Sequence, residues 1–185
     1  MADLNKVEEK LDRRVRGRKR QFRLWKRTGK RGHLKAFRAH KKAIQKLRKI
    51  RRKLLRQAPR IVTAAQIGIN PSAIFGGLGT PLYVTGHYTA GPKDTSDDHA
   101  IQLCKSYDSQ HRSQGWGGIG YHYCITRAGT IIGLRPVGQK GAHVGGYNTG
   151  NVGVMVHGTI GDLPTAAQER SLRWLLDNAH TSRMP

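Results

Sequence analysis

Residues 115–131 read Gly-Trp-Gly-Gly-Ile-Gly-Tyr-His-Tyr-Cys-Ile-Thr-Arg-Ala-Gly-Thr-Ile, and their punctuation decides the fold. β-favouring residues fill 121–125 and then 130–134, while Thr126-Arg127-Ala128-Gly129 between them has the length and composition of a hairpin loop. Upstream, residues 82–87 (LYVTGH) make another short β-favouring run after Pro81, which puts His87 at a strand end; downstream, residues 152–157 supply a further strand.

Helical periodicity fills the gaps. Thr95-Ser96-Asp97-Asp98 offers capping side chains and first-turn carboxylates ahead of Ala100, Leu103, Cys104 and Tyr107, so a helix is expected over 96–111. Thr165-Ala166-Ala167-Gln168 fits a capping box before Leu172, Trp174, Leu175 and Leu176, which mark a last helix. The order strand, helix, hairpin, strand, helix predicts an α/β domain: a mixed central sheet flanked by helices, with Gly-rich loops at its exposed end.

The first third of the chain is different in kind. Residues 1–60 hold 25 basic and 4 acidic side chains, and residues 61–185 only 9 and 7, so nearly all of the net +23 lies in the leading segment. Val7, Leu11, Val15, Phe22 and Trp25 recur at helical steps, the turn Thr28-Gly29-Lys30-Arg31-Gly32 interrupts them, and Phe37, Ile44, Leu47, Ile50 and Leu54 resume the pattern. These features predict a basic helical arm over 1–58, able to fold back as a hairpin, then a linker over 59–81 and a domain over 82–185. Such an arm favours an anionic partner: wall polymer, a membrane surface or, with less support because its three aromatics sit at core-like spacing, nucleic acid.

No apolar run reaches the roughly 18 residues of a membrane span, and the first twenty residues are too charged for a secretory signal, so synthesis in the cytoplasm without a signal peptide is expected. Cys104 and Cys124 are too few for a disulfide framework and read as buried thiols, one bridge between them being the alternative if the fold brings them together.

Seven of nine histidines follow the arm: His87, His99, His111, His122, His143, His157 and His180. Their spacing contains no HExxH or paired CxxC. His99 and His111 stand too far apart on one helix to meet. His122, alternating with Tyr121 and Tyr123, is expected on the sheet face opposite to theirs. His87 and the His143 of Gly141-Ala-His-Val-Gly-Gly-Tyr-Asn148 are framed by small residues that let a ligand approach, and are the better candidates.

Four motifs, VTGHYTA around His87, GWGGIGYHYCITRAGTI from Gly115, GAHVGGYN from Gly141 and NVGVMVHG from Asn151, together resemble the N-acetylmuramoyl-L-alanine amidases that share the peptidoglycan-recognition-protein fold, phage endolysins in particular. The resemblance implies a zinc-dependent enzyme that acts at the bacterial cell wall, where it cuts the amide between N-acetylmuramic acid and the first L-alanine of peptidoglycan. It implies that His87 is a zinc ligand and that Tyr121 is catalytic. It further implies that His143, Asn148 and Trp116 line the substrate groove. The family's second and third zinc ligands follow the final helix, past Pro185. The expected zinc site is thus incomplete in this chain, and the domain over 82–185 is expected to be C-terminally truncated. His180 falls within or just after the last helix and is a poor substitute. A peptidoglycan-binding module without catalysis is the alternative.

Overall fold

The computed structural model describes residues 4–55 and 57–178. The chain divides into two compact units, Met1–Ala58 and Pro59–Pro185.

The first unit is a helical hairpin of α1 (Leu4–Thr28) and α2 (Arg31–Leu55). Gly29 ends α1 because its φ of 62° suits glycine, and its N–H reaches the Trp25 carbonyl at 2.8 Å. The helices run antiparallel: Glu8 pairs with Arg51, and the Gln21 carboxamide meets His33 at 2.8 Å. Gly17 permits the close approach, since a Cβ there would lie 2.5 Å from His40 Cε1. Val7, Leu11 and Ile44 of the expected apolar stripes are buried, whereas Phe22 stays exposed and touches Phe37 with ring centroids 5.4 Å apart.

The second unit is a five-stranded mixed sheet in the order β1-β4-β3-β5-β2. Its elements are β1 (Ile61–Val62), α3 (Ala64–Ile67), β2 (Tyr83–Tyr88), α4 (Asp97–Ser113), β3 (Tyr123–Ile125), β4 (Ile131–Gly133), β5 (Asn151–Val156) and α5 (Ala166–Asn178). β3 and β4 form the expected antiparallel hairpin, while β5 runs parallel to both β3 and β2. The period-2 alternation of strands sorts the core onto two faces. Cys124, Ile132 and Met155 pack with Ala100 and Cys104 of α4, whereas Tyr123, Ile125, Val152 and Val154 pack with Leu175 of α5. The capping box opening α5 forms as the sequence predicts, with Gln168 N–H on Thr165 Oγ1 at 3.1 Å and Thr165 N–H on Gln168 Oε1 at 3.0 Å.

The stretch 59–81, expected as a linker, instead contributes structure. β1 pairs parallel with β4, Thr63 and Gln66 make a second capping box before α3, and Ile67, Ile69 and Leu78 are buried. A two-residue strand and a four-residue helix are too short to leave a periodic signal.

Candidate active site

β2 and β5 are aligned so that His87 stands beside Met155. The His143 loop folds over the same sheet face and brings its ring to His87: His87 Nε2 and His143 Nδ1 are 3.2 Å apart. Tyr121 completes the group, with ring centroids 5.1 Å from His87 and 5.8 Å from His143. Three of the five residues singled out from sequence therefore meet at one place.

The protons in this group can be assigned from its partners. His143 Nε2 lies 3.0 Å from the Asn151 carbonyl, which only accepts, so Nε2 carries the proton. The neutral ring then has a bare Nδ1, which accepts from His87 Nε2–H, and the lone pair of His87 is left on Nδ1. Burial holds His87 below its ordinary pKa. It also lowers His143; the Asn151 hydrogen bond opposes this and the neighbouring His87 adds to it. Both rings are thus neutral at pH 7, as a metal-binding imidazole must be. Burial raises the Tyr121 phenol, which stays protonated and able to donate.

Glycines make room for this arrangement. A Cβ on Gly153 would sit 2.5 Å from His143 Cδ2, and one on Gly141 2.7 Å from the same atom. Asn148 holds the loop from within, since its Oδ1 accepts the backbone N–H groups of both His143 and Val144 at 2.9 Å. Trp116 lies against His111, with centroids 4.7 Å apart, and His111 in turn lies 6.0 Å from Tyr121, so an aromatic row extends from the site.

Of the alternation expected through 121–123, His122 does lie opposite Tyr123, which packs toward α5, but Tyr121 shares the His143 side with His122. Tyr121 lies ahead of β3, outside the strand's alternation, and both rings flank His143, each with its centroid 5.8 Å away. His122 is wholly buried and structural. Its Nδ1 accepts the Gly153 N–H at 2.9 Å, and its Nε2–H donates to the Gln139 carbonyl at 2.9 Å. Sequence reasoning missed Asn151, whose contribution comes from a main-chain carbonyl that every residue possesses. It also did not join His157 to Cys104 and Cys124, although these are the one set of three potential metal-ligating side chains that converges among the described residues. His180 lies outside the described residues.

Around His87 the described residues supply a single metal ligand. A catalytic zinc centre needs about three protein ligands and an open position, so these residues alone do not complete one.

The α/β sheet thus presents a histidine pair and a tyrosine at one edge, beside Gly-rich loops. The sequence pattern of the N-acetylmuramoyl-L-alanine amidase family matches residues 78–183, and the chain belongs to that family. The endolysin of Escherichia phage T7 is 42% identical over 72 residues, which are 36% of this chain and 48% of that protein. A human N-acetylmuramoyl-L-alanine amidase is 33% identical over 94 residues, 50% of this chain and 16% of that protein. Among solved structures, Drosophila peptidoglycan recognition protein SD superposes with a TM-score of 0.57 at 28% identity, covering 66% of this chain and 75% of that one. The chain spans about half the length of the endolysins it matches.

Proposed function

We propose that this chain acts at the bacterial cell wall as a zinc-dependent peptidoglycan amidase of the phage-lysin type, cutting between N-acetylmuramic acid and L-alanine. The observation that carries this reading is the relay from the Asn151 carbonyl through His143 to His87, which aims one neutral imidazole lone pair away from its supports. A bound zinc ion would supply a Lewis acid and an acidified water, with His87 among its ligands.

The chain's own residues do the rest. His143 holds the His87 ring in one tautomer and one orientation. The Tyr121 hydroxyl, kept protonated by burial, donates to the amide oxygen as negative charge grows on it. Trp116 offers an apolar face to the substrate, and Asn148 keeps the His143 loop in its substrate-facing shape.

The hairpin of residues 1–58 draws the enzyme to anionic wall polymer or to a membrane surface by its excess of cations. None of the described helices is long and apolar enough to cross a membrane. A second reading, peptidoglycan binding without cleavage, draws support from the single ligand around His87.

The test is incubation of the chain with purified peptidoglycan, with and without zinc, followed by mass spectrometry of released stem peptides. Peptides with a free L-alanine amino terminus, absent with His87→Ala, are expected. Sedimentation of the protein with the wall and no release would establish the binding module instead.

A further inference from the structure

One group of reactive side chains is not used by the reading above. Cys104 on α4, Cys124 on β3 and His157 just after β5 place their ligand atoms within 4.8 Å of one another. The two cysteines are wholly buried and His157 is 1% exposed. This group is separate from His87. On the sheet, His87 is level with Met155 and Met155 with Cys124, so the β5 strand stands between them.

The polar atoms here are poorly satisfied. His157 Nε2 and the Tyr107 hydroxyl are buried without a hydrogen bond, and His157 Nδ1 and Asp94 Oδ1 have only each other, just beyond hydrogen-bond distance. Leaving such groups unpaired costs roughly 1–3 kcal/mol each, and native cores rarely tolerate several together. His157 Nδ1 does face Asp94 Oδ1, at 3.6 Å, and Asp94 is anchored by the Arg127 N–H on its other oxygen at 2.9 Å. A carboxylate on Nδ1 fixes the tautomer with its lone pair on Nε2, the arrangement that supports metal-bound histidines.

We propose that Cys104, Cys124 and His157 supply three ligands to a buried zinc-class divalent cation, with Asp94 supporting His157. Two sulfurs and an imidazole nitrogen select a borderline-soft ion such as zinc over magnesium or calcium, which take oxygen ligands. Two thiolates balance the dication, and both thiol protons pass to solvent on binding. Because the ligands are enclosed, the ion enters as the chain folds. Once bound, it ties α4, β3 and the end of β5 together. The inference does not depend on the amidase reading.

The test uses the full chain produced in cobalt-supplemented medium and kept under reductant. Cobalt bound to thiolate absorbs in the near ultraviolet by charge transfer, and the sequence has only these two cysteines as thiolate sources. The band is expected in the wild-type chain, retained in His87→Ala, and lost in Cys124→Ser and His157→Asn. Unfolding and refolding the wild-type protein in the presence of a chelator should give a lower Tm and thiols open to a thiol reagent, a readout that needs no variant to fold. Absence of the band from wild-type protein, or its loss in His87→Ala, would overturn the proposal.

Discussion

His87 and His143, 56 residues apart in sequence, share one hydrogen bond of 3.2 Å, and its direction is set by a third group, the Asn151 carbonyl on the far side of His143. The pair thus behaves as one unit that leaves a lone pair on Nδ1 of His87.

Removing the support while keeping the ligand should therefore impair function more than stability. His143→Ala is expected to lower wall-cleaving activity about 10- to 100-fold, the usual effect of deleting a partner of a metal-binding histidine. The check is peptide release per unit time, with Tm measured in parallel. Full activity in a variant that folds normally would refute the relay.

Tyr121→Phe keeps the ring packed against His87 and His143 and deletes only the hydroxyl. If that hydroxyl donates to developing negative charge, kcat should fall about 100-fold or more while KM changes little. An effect confined to KM would make Tyr121 a substrate-binding residue.

Gly153→Ala tests the space that His143 needs. The new methyl would stand 2.5 Å from His143 Cδ2, so the ring or the strand must shift. Overpacking of this kind costs about 1–3 kcal/mol, and thermal unfolding should record it together with a loss of activity. An unchanged Tm and activity would show that the loop yields freely.

Acid should weaken the fold through His122. Burial brings its pKa down from 6.5 to about 4, against a smaller upward pull from the Gln139 hydrogen bond. The unfolded chain therefore takes up a proton near pH 6.5 that the folded chain refuses until about pH 4. This contribution is intact above 6.5, declines as pH falls from 6.5 to about 4, and is worth at most roughly 3 kcal/mol. Urea titrations across that window should show the decline, and His122→Asn should flatten it.

Much of this organisation is legible in the chain. Four motifs identify the family, and the strands of the β3–β4 hairpin, the start of α5 and both arm helices follow from turn residues, capping boxes and periodicity, each a signal carried by neighbours in sequence. The stretch 59–81 reads as a linker in sequence because β1 draws its stability from β4, some 70 residues away, and not from its own pattern. The alternation holds for His122 against Tyr123 and fails only at Tyr121, which lies ahead of β3 and turns to the same side as His122.

Sequence by itself determined the two-part layout of charge, the α/β order of elements and the candidacy of His87 and His143, because these rest on residue type and local spacing, and it brought in Tyr121 through the family resemblance. Tertiary structure alone decided that His143 faces His87 with its Nδ1, that a main-chain carbonyl sets that orientation, and that Cys104, Cys124 and His157 converge in the core. The reason is physical: hydrogen-bond direction and ligand convergence depend on distances between atoms remote in the chain, and those distances exist only once the sheet has paired.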